Sequence, residues 1–113
     1  MSESCLFCRI VRGEIPATIV AQEDDCIVLR DINPQAPVHY LVIPREHVSS
    51  LNEANDAGLV GRLSLVAANM AKREGIAEAG YRTVVNTNAD AGQTVFHLHL
   101  HLLGGRPMGW PPG

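Results

Sequence analysis

Three histidines alternate with three leucines near the end of the chain, from His97 to Leu102. Successive side chains of a β-strand point to opposite faces of the sheet, so this spacing places His97, His99 and His101 together on one face. We predict a strand over residues 96–103 whose leucine face is buried against a helix. The imidazole face needs a separate explanation.

The residues alone leave three interpretations of the imidazole face. The first is a solvent-exposed strand that is rich in histidine. The second is a metal site, although alternate strand positions lie about 6.6 Å apart and the third imidazole reaches one shared ion with difficulty. The third is covalent catalysis, because neutral imidazole is a good nucleophile toward phosphorus near its ordinary pKa of about 6.5. A flanking imidazole can then donate a proton or hold a phosphate oxygen.

The rest of the pattern predicts an α+β fold with a five-stranded, mainly antiparallel sheet, one short helix and one long helix. The short helix has Ser4 as its N-cap and ends at Gly13. The long helix covers about residues 55–74, where apolar residues recur every three or four positions. β-Prone runs predict the other strands: residues 18–22, 26–31, 38–43 and 81–86.

Length and charge limit the function classes. The 113 residues fit one domain over residues 1–113, with a Gly/Pro-rich tail over 103–113. We expect neither a transmembrane helix nor a signal peptide, and therefore a cytoplasmic protein without a membrane partner. The net charge of −3 and scattered Lys and Arg argue against a nucleic acid polymer as partner. A single nucleotide stays open, because backbone N–H groups at helix ends bind phosphate.

Several motifs together resemble a known family. The pattern at residues 97–103, His-φ-His-φ-His-φ-φ, is similar to the signature of the histidine-triad (HIT) superfamily. The blocks that resemble its histidine-triad nucleotide-binding (Hint) branch are Asp-Ile-Asn-Pro-Gln-Ala-Pro-Val-His-Tyr-Leu-Val-Ile-Pro at 31–44, Asn86, Gly-Gln-Thr at 92–94 and the ending at 104–113. The resemblance covers nearly the whole chain. It implies a HIT-like homodimer with a continuous sheet that hydrolyses purine nucleoside 5′-phosphoramidates, of the AMP-amine or aminoacyl-adenylate type, through a nucleotidyl-histidine intermediate.

The resemblance also implies roles for individual residues. His99 would be the nucleophile, His101 would contact the phosphate oxygens, and His39 would orient His99. Asp31 would accept the ribose hydroxyls, although a turn or cap before Asn33 is the alternative role for this carboxylate.

Eight further positions complete the nucleotide site that the resemblance implies. Four would form the apolar wall around the base, although the sequence alone favours plain core for each of them: Phe7, Ile10, Ile32 and Leu41. Gly92 and Thr94 would approach the phosphate, and Asn86 would either bond it or cap its loop. Trp110 would reach the amine side of the substrate, in its own or the partner subunit, or anchor the tail.

The cysteines suggest a second site. Cys5 and Cys8 form a Cys-x-x-Cys pair in a chain without a secretory signal, which favours a metal or redox pair over a structural disulfide. With His47 and His97 they make a Cys₂His₂ set suited to structural zinc, as in some histidine-triad relatives. The alternative is that both cysteines are small apolar residues of the first helix. No cofactor is expected for the chemistry itself, and Cys26 is expected to be a buried small residue.

Two other functions remain open at this point. One is a nucleotide-binding regulatory or scaffold protein whose hydrolysis is incidental. The other is a dinucleoside polyphosphate hydrolase or nucleotidyl transferase with the same fold. The intact triad and the Trp-Pro-Pro-Gly ending favour the phosphoramidase.

Overall fold

The computed structural model describes residues 4–113. Within them lie five strands, two α-helices and two single-turn 3-10 helices. Their order along the chain is α1 (Leu6–Val11), β1 (Ile19–Gln22), β2 (Cys26–Arg30), β3 (Val38–Pro44), a 3-10 turn (Leu51–Glu53), α2 (Ala57–Arg73), β4 (Tyr81–Val84), a 3-10 turn (Ala89–Ala91) and β5 (Leu100–Gly104).

The strands form one sheet in the order β1-β2-β3-β5-β4, and every neighbouring pair is antiparallel. The predicted fold class is therefore confirmed. β3 lies at the centre between β2 and β5, so a residue on β3 can meet side chains from both neighbours. The edges of the sheet are β1 and β4.

The two faces of the sheet carry separate apolar clusters. On one face α2 packs its buried stripe, which includes Leu63 and Ala67, against Tyr40 and Val42 of β3. The leucines of the predicted histidine strand belong to this cluster: Leu98, Leu100 and Leu102. Cys26 is also buried there, as expected. On the other face α1 contributes to a smaller cluster, whose members are Phe7, Ile10, Ile27, Leu29, Leu41 and Ile43.

The histidine strand is shorter than predicted, because β5 begins at Leu100. Continuing the β3–β5 register would place Leu98 opposite Pro44, which has no N–H to donate to a ladder. Leu98 N donates instead to Val48 O at 2.6 Å, and the carbonyl of Pro44 accepts from the His97 ring. The side chains nevertheless alternate as predicted, with the leucines facing α2.

The helix ends follow simple capping rules. The N-cap of α1 is Cys5, not Ser4 as predicted, and its Sγ accepts from Cys8 N at 3.4 Å. Asp56 caps α2 by accepting from Leu59 N at 3.1 Å. Because β5 extends to Gly104, the irregular tail starts at Gly105. Neither of the helices in the described part of the chain has the length and apolar character that a membrane span requires.

Candidate active site

Three imidazoles meet on the sheet face that carries α1. His101 lies opposite Leu41 on β3, and His39 lies two residues before Leu41 on the same strand, so both rings project from this face. The His99 ring lies 5.0 Å from the His101 ring, and the His101 ring lies 5.2 Å from the His39 ring. The fold therefore brings the three predicted catalytic histidines into one row.

The tautomer of His99 is set by its own strand segment. Nδ1 of His99 lies 2.8 Å from the carbonyl oxygen of His97. A carbonyl only accepts, so Nδ1 carries the proton and Nε2 keeps its lone pair. The Phe7 ring packs edge-on against the imidazole at 5.1 Å. The expectation that His39 orients His99 is wrong, because the His97 carbonyl takes that position.

His39 contacts His101 instead, in a chain of hydrogen bonds with defined directions. The backbone N–H of Gln35 donates to His39 Nδ1 at 3.0 Å, so the neutral His39 ring carries its proton on Nε2. That Nε2 lies 2.9 Å from Nδ1 of His101 and 3.4 Å from Oδ2 of Asp31. His101 therefore accepts at Nδ1 and presents an Nε2–H donor.

Burial keeps the rings of His39 and His101 neutral. It lowers the pKa of His101 to about 4, and the neighbouring His99 and His39 act in the same direction. Burial also lowers the pKa of His39, although the Asp31 carboxylate opposes the shift. At neutral pH His101 is thus a neutral hydrogen-bond donor and not an imidazolium that could act as a general acid.

A cavity of about 350 Å³ opens beside His99 and His101. All four predicted wall residues line it, together with Asp31 and Thr94: Phe7, Ile10, Ile32 and Leu41. Ile32 is 98% exposed, so this apolar side chain covers nothing in the free chain. Six apolar lining residues were not predicted: Leu6, Ile15, Pro16, Ala17, Leu29 and Val95. Ile15 and Val95 lie in loops, where no periodic pattern marks them.

Asp31 closes a turn at the rim of this cavity. Its Oδ1 accepts from Asn33 N at 2.8 Å and closes a turn, which is the alternative role that the sequence left open. The other carboxylate oxygen faces His39. A carboxylate that is held in this way is a ready acceptor for hydroxyl groups.

Three predicted nucleotide contacts do not line this cavity. Asn86 lines a neighbouring cavity of about 290 Å³ that shares His101 and also includes His39. Gly92 ends a 3-10 turn with φ +82°. Trp110 is 83% exposed and lies beside Arg82 of β4, whose guanidinium carbon is 6.0 Å from the ring centroid.

The loop before the triad depends on Gln93, a residue to which the sequence assigned no individual role. Its side chain is buried, accepts from Asn88 N at 2.8 Å and donates to Ser49 O at 2.9 Å. A second donation goes to Val95 O at 3.1 Å. A polar residue between Gly92 and Thr94 is an ordinary loop residue by pattern, so no local signal identifies it.

The four predicted metal ligands also come together. Cys5 Sγ lies 3.4 Å from His97 Nδ1, and Cys8 Sγ lies 3.2 Å from His47 Nδ1 and 3.5 Å from His97 Nδ1. All four donor atoms lie within 4.8 Å of one another. His97 is fully buried, and its Nε2–H donates to Pro44 O at 2.8 Å, which turns the Nδ1 lone pair toward the thiols.

This donor set fits tetrahedral zinc. Zn–S bonds near 2.3 Å and Zn–N bonds near 2.0 Å put neighbouring donor atoms about 3.3–3.8 Å apart. The Cys–His separations of 3.4 and 3.5 Å fall in this range, and the third, 3.2 Å, lies just below it. A metal-ligating histidine also ordinarily donates its other N–H to a carbonyl, as His97 does.

Comparison of the chain with known protein families agrees with the row of histidines. The family model described as the HIT domain matches residues 12–108. The chain belongs to the HIT family.

Relatives match this HIT domain over all or nearly all of its length. An uncharacterised HIT-like protein of Synechococcus elongatus is 53% identical over an alignment of 115 residues, and the alignment covers 100% of each chain. A purine nucleoside phosphoramidase of Escherichia coli is 50% identical over 111 residues, covering 96% of this chain and 93% of that protein. A crystal structure of a HIT family hydrolase from Legionella pneumophila superposes with a TM-score of 0.95 at 50% identity, covering 97% of this chain and 100% of that one.

Proposed function

We propose that this HIT domain hydrolyses purine nucleoside 5′-phosphoramidates. The observation that carries the proposal is the fixed tautomer of His99, which leaves an Nε2 lone pair beside a cavity of nucleoside size. The 50% identity to a purine nucleoside phosphoramidase supports the reaction class.

The nucleoside would occupy the 350 Å³ cavity with its phosphate at the two triad imidazoles. The base would lie between Ile32 and the buried side chains of Phe7 and Ile10, and the ribose hydroxyls would donate to Asp31. Thr94, on the same wall, would hold a phosphate oxygen.

In the first step His99 Nε2 attacks the α-phosphorus and forms an N–P bond. The P–N bond to the amine breaks, its electron pair stays on the amine nitrogen, and that nitrogen takes a proton from solvent. The phosphorylated imidazole is cationic, and its Nδ1–H remains on the His97 carbonyl, which stabilises it. His101 donates its Nε2–H to a phosphate oxygen throughout.

The structure favours this holding role of His101 over proton donation. Its pKa of about 4 leaves little protonated form at pH 7. His39 could not relay a replacement proton to His101, because within residues 4–113 the one hydrogen-bond partner of His39 Nδ1 is the backbone N–H of Gln35. In the second step water attacks phosphorus, the N–P bond breaks toward Nε2, and the water proton returns to solvent.

We place three further residues around the leaving group and phosphate. Asn86 lines the cavity on the other side of His101, which suits the amine side of the substrate. Gly92 gives the loop before the triad its left-handed turn. Trp110 lies near edge strand β4, so pairing of β4 with a second copy would carry the ring toward the partner's site.

That pairing would produce the continuous-sheet homodimer that the family resemblance implies.

We also propose structural zinc at Cys5, Cys8, His47 and His97, since four protein ligands leave no open position for catalysis. Reduced thiols at this site suit the cytoplasm. All strands within residues 4–113 belong to one sheet, which supports the proposal of a single domain over residues 1–113.

The test compares turnover of adenosine 5′-phosphoramidate by the wild type and by His99→Ala, with acid-free trapping of the labelled intermediate. We expect a labelled protein in the wild type and loss of both label and turnover in the variant. Turnover that persists in His99→Ala would refute the mechanism. Tight binding of AMP without turnover would instead favour the nucleotide-binding regulatory protein.

A further inference from the structure

The proton on His39 depends on the backbone at residue 35. Gln35 lies in the exposed loop before β3, and its N–H donates to His39 Nδ1 at 3.0 Å. No other hydrogen bond to His39 Nδ1 occurs in residues 4–113, and the ring is 5% exposed. This N–H therefore favours the tautomer of His39 that carries its proton on Nε2, the nitrogen that faces His101.

The C-terminal segment holds the same residue from the other side. Arg106 donates from Nε and Nη2 to the carbonyl of Gln35, at 3.2 and 2.9 Å. Its Nη1 donates to Pro107 O at 3.0 Å, which fixes the direction of the guanidinium. Gly105 turns the chain with φ +90° and lies so close to Pro37 that a Cβ would come within 2.9 Å. The tail and the loop are thus packed together.

We propose that Arg106 is a positioning residue for the hydrolysis, acting through the Gln35 backbone and His39 to keep His101 presenting Nε2–H to the phosphate. Arg106 fixes residue 35, residue 35 fixes the His39 tautomer, and His39 Nε2–H fixes the proton of His101. This inference rests on the proposed function only for its effect on rate.

Loss of Arg106 would release one anchor of an exposed loop. If the Gln35 N–H moves away, Nδ1 of His39 is no longer held as an acceptor and can carry the proton in place of Nε2. His101 could then carry its own proton on Nδ1 and turn a lone pair toward the phosphate oxygen, which repels it. Asp31 Oδ2, 3.4 Å from His39 Nε2, still favours the original tautomer. The expected change in the tautomer populations of His39 and His101 is therefore partial.

A second arginine provides a matched control. Arg82 Nη2 also donates to a tail carbonyl, that of Gly109, at 2.8 Å. Arg82→Gln loosens the tail without touching residue 35. Arg106→Gln loosens the tail and also removes the contact to the loop.

The experiment records ¹H–¹⁵N correlations of the ring nitrogens of His39 and His101, together with kcat and KM for adenosine 5′-phosphoramidate. Arg106→Gln should give mixed tautomers at both rings and a kcat about tenfold lower, with KM within twofold. Arg106→Lys, with one donor group, should recover part of the rate. Arg82→Gln should leave both ring spectra as in the wild type.

A second pair tests the backbone donor itself. Gln35→Pro removes the N–H, whereas Gln35→Ala removes only the side chain, which donates to Asn33 O at 2.9 Å. Only the proline variant should change the His39 spectrum. If that variant does not fold, the Arg106→Gln spectrum still decides.

Wild-type tautomers in Arg106→Gln would overturn the inference, whatever the rate. The spectra can be recorded without turnover, so they test the positioning role of Arg106 independently of the proposed hydrolysis. Changed tautomers in a protein that does not hydrolyse the substrate would leave the positioning role and refute the proposed function.

Discussion

Ile32 gives the sharpest test of the nucleoside cavity, because it is apolar and 98% exposed at the cavity wall. Truncation to alanine removes three carbon atoms that touch almost nothing in the free chain. The free energy of unfolding should therefore change by less than about 0.5 kcal/mol. If a base covers the side chain, the same truncation must weaken nucleotide binding.

The magnitude follows from the area that the base would cover. Three fully buried carbons contribute about 2.4 kcal/mol at about 0.8 kcal/mol each. A rim residue is covered on one side, so about half of this, about 1.2 kcal/mol, is expected. At 1.4 kcal/mol per factor of ten, Ile32→Ala should raise the Kd for AMP about sevenfold.

Isothermal titration with AMP measures this Kd, and thermal unfolding checks the stability of the variant. Ile19→Ala is the matched control, since Ile19 is 42% exposed on β1 and does not line the cavity. kcat should be unchanged, because the contact is the same in the ground and transition states. A Kd for Ile32→Ala within twofold of the wild type, or equal weakening in Ile19→Ala, would refute the placement of the base.

Three other predictions concern the metal, pH and the core. Cys8→Ser should remove zinc measured by elemental analysis and lower Tm, whereas Cys26→Ser should keep the metal; equal zinc in both would contradict the site. Burial holds the pKa of His101 at about 4, below its ordinary 6.5, so the unfolded chain binds the proton first and stability should fall as pH drops from about 6.5 to about 4. Three titratable side chains face this ring: His99, His39 and Asp31. Urea unfolding of His101→Gln should show a shallower loss over that range, and an identical slope would exclude His101 as its source. Leu63→Ala, at a buried position beneath the sheet, should cost about 2–5 kcal/mol in urea unfolding, and a loss below about 1 kcal/mol would argue against that packing.

Much of the fold was predictable because its signals are local. The spacing of apolar residues in α2 and the alternation of leucines after His97 depend only on the helical and strand repeats, and both faces are buried as expected. The first residue of the histidine strand was not predictable in this way. It depends on Pro44, which lies 53 residues before His97 and meets it only in the folded sheet.

The roles of the site residues also divide into those that local sequence signals predict and those that the folded structure decides. The alternation of residues 97–102 predicted His97, His99 and His101 on one face, and the Cys-x-x-Cys pair with two histidines suggested the Cys₂His₂ set, whereas the roles of His39 and Asp31 were implied by the family resemblance. Tertiary structure decided the contact between the rings of His39 and His101 and that between His97 and the Pro44 carbonyl, whereas His99 Nδ1 and His39 Nδ1 have local partners. His39 and His101 are 62 residues apart in the chain, and only the β3–β5 register makes them diagonal neighbours. Hydrogen-bond direction depends on which atom arrives within about 3 Å, and no sequence pattern encodes that for groups brought together by the sheet.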